Sequence, residues 1–140
     1  MVENIQKEID LLTKNRINSK VLVGLSGGVD SAVTAWMLKE AGFEVQTVFL
    51  KCYPNVPGCR SEADLKDAIA VASKLGIPLM TMDYIQQYRE EVLENFYQEY
   101  KKGRTPNPDI LCNQHIKFGA FFDEAMETSS ADFYATGHYV

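Results

Sequence analysis

The sequence predicts an α/β fold in which helices cover both faces of a mainly parallel sheet. Short apolar runs of the kind that form buried strands alternate with longer segments whose apolar residues recur at helical spacing. Gly42 and Gly76 each follow a helical segment, in the position where glycine commonly ends a helix. Because crossovers between parallel strands are right-handed, this alternation predicts a Rossmann-like three-layer sandwich.

The elements follow one another in a regular order. The sequence predicts helices over residues 2–16, 32–40, 63–75, 84–100 and 116–126. It predicts strands over residues 20–24, 45–50, 79–82 and 133–136. Aromatic residues of the last two helices are expected to face the core, among them Tyr88, Tyr100, Phe118 and Phe121.

The composition is typical of a globular protein of the cytoplasm. The 140 residues are 46% hydrophobic and 24% charged, which provides enough apolar side chain for one core. The N-terminus carries mixed charges instead of a secretory signal, and three cysteines do not suggest a secreted disulfide framework. A net charge of −5 counts weakly against nucleic acid, although residues 101–117 carry four basic residues and one acidic residue. That basic stretch is compatible with RNA binding or with a solvated loop.

Three loops are expected to form the functional site. In parallel α/β sheets, ligands bind beyond the carboxyl ends of the strands. The loops 24–31, 51–61 and 137–139 each follow a predicted strand. We therefore expect them to converge at one edge of the sheet.

The first loop reads Gly24-Leu25-Ser26-Gly27-Gly28-Val29-Asp30-Ser31. Adjacent glycines let the backbone approach an anion closely, and the N–H groups that begin the following helix bind phosphate. Ser26 and Ser31 add hydroxyl donors, and Asp30 can cap the helix or reach Mg²⁺. A plain turn does not need two glycines and three side chains with oxygen atoms. The loop therefore predicts a phosphate site, of neither the Walker nor the dinucleotide type.

Residues 103–119 form a second candidate segment, which two prolines rigidify. Asp109 and Cys112 are three residues apart and would share a face of a helical turn. Arg104, Lys117 and a helix N-terminus would offset the carboxylate and favour a thiolate at Cys112. On the residues alone, Cys112 is equally compatible with a nucleophile and with a small buried hydrophobic residue.

The glycine loop resembles the pyrophosphate loop (PP-loop) of the N-type ATP pyrophosphatases, whose fold is adenine nucleotide alpha hydrolase-like. The resemblance implies that ATP is cleaved between its α and β phosphates, with Mg²⁺ balancing the phosphate charge. It also implies that a carbonyl oxygen of the substrate is adenylated. ATP contacts are then expected along the loop, at Gly24, Leu25, Ser26, Gly27, Gly28, Val29, Asp30 and Ser31.

Further motifs extend the resemblance over residues 20–140 to the bacterial tRNA-uridine 2-sulfurtransferases, also called tRNA 2-thiouridylases. These motifs are Glu62-Ala63-Asp64-Leu65, Lys74-Leu75-Gly76-Ile77-Pro78, Asn107-Pro108-Asp109 with Cys112-Asn113, and Ala135-Thr136-Gly137-His138-Tyr139. The resemblance implies that the substrate is the wobble uridine of tRNAs for Lys, Glu and Gln. ATP would adenylate the C2 oxygen of that uridine. A persulfide sulfur, delivered by a sulfur-relay or cysteine desulfurase protein, would then replace the oxygen.

The same resemblance assigns expected roles to single residues. Cys112 aligns with the catalytic nucleophile, and Asp109 is expected to act in proton transfer. Leu50 aligns with an adenine contact and Gly137 with another ATP contact. The residues expected to meet tRNA are Asn107, Pro108, Asp109 and His138.

The chain departs from the family pattern in three respects. Residues 1–19 are expected to form an additional N-terminal helical extension, and residues 20–140 an incomplete PP-loop domain. The tRNA-binding and barrel domains and the second catalytic cysteine of the family would be absent. Lys51-Cys52-Tyr53 stands where the family commonly has Lys-Asn-Trp. An alternative to the complete enzyme is therefore a nucleotide-binding module without full sulfurtransferase activity.

Two further cysteines, Cys52 and Cys59, lie in the loop after the second strand. Their spacing from one another and from Cys112 fits no compact zinc or iron–sulfur motif, so no metal site is predicted. Either cysteine is a candidate to substitute for the absent persulfide cysteine. A disulfide between Cys112 and one of them would support that role.

Overall fold

The computed structural model describes Lys7 and residues 19–53, 60–108 and 112–138. The predicted helix over residues 2–16 therefore lies outside the described residues, apart from Lys7. So do residues 54–59, which include Cys59, and Asp109 and Tyr139 of the predicted loops.

A four-stranded sheet in the order β3-β2-β1-β4 forms the centre of the fold. Its strands are β1 (Lys20–Gly24), β2 (Glu44–Lys51), β3 (Leu79–Asp83) and β4 (Phe133–Thr136). Every pairing between neighbouring strands is parallel, which confirms the predicted parallel sheet. Each strand also matches its predicted bounds to within one residue.

The position of β1 creates the place where a ligand is expected. The chain runs outward from β1 to β2 and β3, and then returns to the opposite side of β1 for β4. Gly24, the last residue of β1, pairs with Val48 of β2 and with Thr136 of β4. A crevice therefore opens beyond Gly24, where connections leave the sheet in opposite directions.

Five α-helices and two π-helical segments surround the sheet in the described part of the chain. The α-helices are α1 (Val29–Glu40), α2 (Ser61–Leu75), α3 (Ile85–Tyr88), α4 (Glu94–Lys101) and α5 (Phe121–Ser129). The π-helical segment Arg89–Leu93 joins α3 to α4, which gives the long helix predicted over residues 84–100. None of the described helices is both long and apolar enough to cross a membrane.

The helix predicted over residues 116–126 is interrupted. The π-helical segment Cys112–Ala120 occupies its first part, and the backbone at Gly119 departs from helical geometry with φ −112° and ψ −118°. A glycine without Cβ adopts such a conformation at little steric cost. The chain kinks there and continues as α5, so the prediction of one continuous helix was wrong.

Apolar side chains pack on both faces of the sheet, and the alternation along β1 divides them. Leu22 belongs to one cluster, with residues of α5 and the two π-helical segments. Val21 and Val23 belong to the other, with Ala35 of α1 and Ala68 of α2. This arrangement confirms the predicted three-layer sandwich.

Two aromatic residues lie outside the predicted core. Tyr88 and Phe121 are buried as expected, but Tyr100 is 69% exposed and Phe118 is 49% exposed. Tyr100 lies near the end of α4, which contains no buried residue. Phe118 instead contacts the ring of His138, with ring centroids 5.4 Å apart. The prediction that these two residues face the core was wrong.

Candidate functional site

A cavity of about 700 Å³ opens at the carboxyl ends of β1, β2 and β4. Its volume lies in the range of about 300–1,000 Å³ that is typical of small-molecule sites. The loop after β1, Cys52 and Tyr53 after β2, and Gly137 and His138 after β4 all line it. The predicted convergence of the three loops is therefore confirmed for their described residues.

Hydrogen bonds between Ser26, Gly28 and Ser31 fix the shape of the glycine loop. The Ser26 N–H donates to Ser31 Oγ at 3.1 Å, and the Ser31 hydroxyl donates to the Gly28 carbonyl at 3.2 Å. The Gly28 N–H in turn donates to Ser26 Oγ at 3.3 Å. Ser31 is almost completely buried, so its hydroxyl holds the loop against the first turn of α1.

The N-terminus of α1 points into the cavity without a capping side chain. Gly28 is the N-cap residue, and no side-chain hydrogen bond caps the helix. Asp30 therefore does not cap it. Val29, Asp30 and Ser31 line the cavity. The first-turn N–H groups and the positive end of the helix dipole together favour an anion at this place.

Two glycines allow the backbone to come unusually close to neighbouring elements. Gly27 has φ +85°, and a Cβ added to it would lie 2.6 Å from the carbonyl oxygen of Asp64 in α2. A Cβ added to Gly137 would lie 2.5 Å from the Ser31 nitrogen and 2.7 Å from the Asp30 carbonyl carbon. All three distances are shorter than 3.0 Å, which Cβ atoms essentially never show. Glycine at these positions lets the loop contact α2 and lets the end of β4 contact the first turn of α1.

Two thiols, Cys52 and Cys112, lie side by side in the wall of the cavity. Both are buried, with 6% and 5% of their surface exposed, and neither is in a disulfide. Their side chains share a hydrogen bond, which together with burial raises the pKa of Cys52 far above its ordinary value. The positive charge of Lys117, which also lines the cavity, opposes that increase. Cys112 is therefore buried in the core and also borders the cavity.

Lys117 and His138 bring positive charge and an imidazole ring to the same cavity. Burial, and then the charge of Lys117, lower the pKa of His138, so the neutral imidazole is favoured. Nearby, burial raises the pKa of Tyr134 to about 12, and this side chain stays protonated at neutral pH.

Most of the residues predicted from the sequence meet at this cavity. Those that line it are Gly24, Leu25, Ser26, Gly28, Val29, Asp30, Ser31, Leu50, Cys112, Gly137 and His138. Gly27 lies in the same loop and packs against Asp64.

Several residues predicted for the site are not part of the cavity wall. Asn107 and Pro108 lie outside it, and Asp109 lies outside the described residues. Arg104, expected to act on Cys112, is paired instead with Glu99, with 2.9 Å between Nη1 and Oε2. Lys117 therefore supplies the cation near the thiols.

The sequence reasoning assigned no role to five polar residues of the cavity wall, namely Tyr53, Ser61, Asp64, Tyr134 and Thr136. Thr136 and Tyr53 were detectable, because they lie at or just after the ends of strands. Ser61 and Asp64 are in the first turn of α2. Asp64 belongs to the motif Glu62-Ala63-Asp64-Leu65, but that motif gave no role to its side chain, and no pattern pointed to Ser61. In the described part of the chain, no group of three or more His, Cys, Asp or Glu side chains is arranged to hold a metal ion.

Comparison with known proteins gives the family. The family described as "tRNA methyl transferase HUP domain" matches residues 19–140. The chain belongs to this family. Over 124 residues it is 54% identical to the tRNA-specific 2-thiouridylase MnmA of Enterobacter sp. (strain 638) and 53% identical to that of Citrobacter koseri. This similarity confirms the resemblance to the 2-thiouridylases. The aligned region covers 86% of the chain but 34% of each relative, so the chain spans about a third of their length.

Solved structures with low sequence identity share the fold. The U34-tRNA thiolase NcsA from Methanococcus maripaludis with its [4Fe-4S] cluster has a TM-score of 0.63 at 21% identity, covering 96% of this chain and 44% of that one. The NH3-dependent NAD synthetase from Campylobacter jejuni has a TM-score of 0.54 at 21% identity, covering 89% and 50%. These similarities confirm the Rossmann-like α/β fold.

Proposed function

We propose that this chain is the ATP-binding and adenylating part of a tRNA-uridine 2-sulfurtransferase, acting in the cytoplasm. The observation that carries the proposal is the meeting of the glycine loop and Cys112 in one cavity. A phosphate-binding loop alone is compatible with many ATP-dependent reactions. A thiol in the same cavity is what a sulfur-transfer reaction requires in addition.

In the proposed adenylation step, the glycine loop and the N-terminus of α1 hold the phosphates of ATP. Leu50 and the neighbouring apolar residues of β2 provide a surface for adenine. The C2 oxygen of the wobble uridine attacks the α-phosphate, and pyrophosphate leaves. Preorganised N–H donors that face the developing negative charge stabilise the transition state.

Magnesium would neutralise charge on the phosphates, and the cavity has residues that fit it. Asp30 and Asp64 are carboxylates in the cavity wall, next to the loop. Mg²⁺ commonly binds one or two carboxylates together with substrate phosphates and water.

In the proposed sulfur-transfer step, Cys112 acts as the nucleophile when sulfur replaces the activated oxygen, and AMP leaves. Asp109 would transfer a proton, and the segment from Asn107 to Asp109 would meet the target base together with His138. The sulfur would come from a relay or desulfurase protein as a persulfide. The proposed tRNA substrates are those for Lys, Glu and Gln.

Pyrophosphate release tests the proposal. The protein is incubated with ATP, Mg²⁺ and tRNA for Lys, and a matched tRNA with cytidine at the wobble position serves as control. We expect pyrophosphate with the first tRNA and much less with the second. Cys112→Ser should retain pyrophosphate release, because the adenylation step does not use the thiol. Equal release with both tRNAs would show that the wobble uridine is not the substrate.

The second candidate function is a nucleotide-binding module without complete sulfurtransferase activity. It is favoured by the position of Asn107 and Pro108, two residues expected to meet tRNA that lie outside the wall of the cavity. Binding of ATP in calorimetry without any tRNA-dependent pyrophosphate would support this candidate against the first.

A further inference from the structure

A tyrosine hydroxyl in the wall of the cavity takes no part in the reaction proposed above. Tyr134 lies in β4 and pairs in register with Leu22 of β1. Its hydroxyl reaches Gly24, the last residue of β1, where a Cβ added to the glycine would lie 2.6 Å from the hydroxyl oxygen. The side chain therefore extends along the sheet to the point where the glycine loop begins, and it lines the cavity there.

The ring of Tyr134 is held in place by two phenylalanine rings of α5. The centroids of Phe121 and Phe122 lie 6.5 Å and 5.4 Å from that of Tyr134, with interplanar angles of 75° and 83°. Edge-to-face contacts of this kind are favourable and specific in geometry. Tyr134 also packs against the apolar cluster that contains Cys112. The fold therefore sets the position of the hydroxyl before any ligand binds.

The hydroxyl of Tyr134 forms no hydrogen bond with any group in the described part of the chain. A tyrosine hydroxyl that is removed from water usually finds a partner, because leaving it unpaired costs free energy. Burial raises the pKa of Tyr134 to about 12, so the hydroxyl keeps its proton at neutral pH and remains a donor. A positioned donor in a cavity wall is suited to bind an acceptor oxygen of a ligand.

We infer that Tyr134 donates a hydrogen bond to the α-phosphate of ATP. The inference rests on the proposed function in one respect, that ATP occupies this cavity. The glycine loop and the N-terminus of α1 are the proposed site of the β and γ phosphates, so the α-phosphate is next to them. Tyr134 lies at the start of that loop and on the same face of the sheet as Cys112, where the substrate oxygen would meet the α-phosphate.

A neutral hydroxyl and a charged amine would act differently on this phosphate. Lys117 brings positive charge to the cavity, whereas a hydrogen bond from Tyr134 fixes one nonbridging oxygen. Negative charge develops on that oxygen as the substrate attacks the phosphorus. A preorganised donor that faces it would therefore stabilise the transition state as well as the bound nucleotide.

Calorimetry with three ligands tests the inference without tRNA. ATP, AMP and inorganic pyrophosphate are titrated with Mg²⁺ into the wild type and into Tyr134→Phe, which removes the hydroxyl and keeps the ring. We expect Tyr134→Phe to raise the Kd for ATP and for AMP by about tenfold, because a hydrogen bond to a charged group is lost. The Kd for pyrophosphate should stay unchanged, because that ligand occupies only the loop and the N-terminus of α1.

Tyr84→Phe is the matched control. Tyr84 also packs against Phe121, and its hydroxyl donates to Glu124, but Tyr84 is not part of the cavity wall. This variant should bind all three ligands like the wild type. Unchanged pyrophosphate binding and an unchanged thermal unfolding temperature show that Tyr134→Phe is folded.

Two results would overturn the inference alone. One is an equal Kd for ATP and for AMP in the wild type and in Tyr134→Phe; if tRNA-dependent pyrophosphate release falls nevertheless, the hydroxyl acts on the uridine instead. The other is an equal loss of pyrophosphate binding, which would mean that the hydroxyl shapes the loop and does not bind the α-phosphate.

Failure of the proposed function gives different results. A wild type that binds no ATP would contradict both the inference and the proposed function. Binding of ATP that depends on Tyr134, without release of pyrophosphate in the presence of tRNA, would retain the role of Tyr134 and contradict adenylation.

Discussion

Replacing Gly27 by alanine should disrupt the glycine loop at the point where it contacts α2. The added Cβ would lie 2.6 Å from the carbonyl oxygen of Asp64 and 2.7 Å from its Cα. Both are backbone atoms, so a side-chain rotation cannot relieve the contact. In addition, φ at Gly27 is +85°, a conformation that residues with a side chain rarely adopt.

The expected cost has two parts, and a second glycine separates them. The positive φ costs about 1–2 kcal/mol for a residue with a Cβ. Forcing an atom into a packed contact costs about 1–3 kcal/mol more. Gly42 has φ +92° but nothing within 4 Å of its added Cβ, so Gly42→Ala should have the first part alone. The difference between the two variants, about 1–3 kcal/mol, measures the contact with Asp64.

Urea denaturation and calorimetry with ATP measure both consequences. We expect Gly27→Ala to lower the free energy of unfolding by more than Gly42→Ala does. We also expect it to raise the Kd for ATP by about tenfold or more, which corresponds to about 1.4 kcal/mol. Gly42→Ala should bind ATP like the wild type. If the two variants are equally stable and bind ATP equally well, the contact between the loop and α2 does not shape a nucleotide site.

Three further predictions concern the core, pH dependence and the charge in the cavity. Leu22 is fully buried in the central strand, so Leu22→Ala should reduce the unfolding free energy in urea by about 2–5 kcal/mol; a loss below 1 kcal/mol would be incompatible with this packing. Folding raises the pKa of the Cys52 thiol above its value of about 8.5 in the unfolded chain. The protonated thiol therefore contributes fully to stability below about pH 8.5, and this contribution is lost as the pH rises further. Cys52→Ala should therefore flatten the fall in unfolding free energy above about pH 8.5, and an unchanged slope would count against a protonated Cys52. Lys117→Met should raise the pKa of His138 partway towards about 6.5 in an NMR titration, because burial still lowers it; no change would mean that the Lys117 charge does not reach the ring.

Local patterns in the sequence were sufficient to predict the sheet and the position of the cavity. The run Val21-Leu22-Val23 is apolar at every position because both faces of β1 are covered. Its neighbours are short apolar runs as well, and a parallel arrangement brings their carboxyl ends together. The convergence of the loops after β1, β2 and β4 follows from that topology and needs no knowledge of individual contacts.

Contacts between distant parts of the chain were not predictable in this way. The hydrogen bond between Cys52 and Cys112 depends on how the π-helical segment packs beside β2, which no local pattern encodes. The kink at Gly119 depends likewise on packing, since an isolated glycine is tolerated in a straight helix. The pairing of Arg104 with Glu99 removed a cation that the sequence alone assigned to Cys112.

The identity of the products formed from ATP tests the central claim most directly. The protein is incubated with radiolabelled ATP, Mg²⁺ and tRNA for Lys, and the products are separated by chromatography. In Gly137→Ala, the added Cβ would lie 2.5 Å from the Ser31 nitrogen, in the first turn of α1. We expect the wild type to release pyrophosphate and Gly137→Ala to lose that activity. Release of ADP and phosphate, or pyrophosphate release that Gly137→Ala leaves unchanged, would contradict adenylation in this cavity.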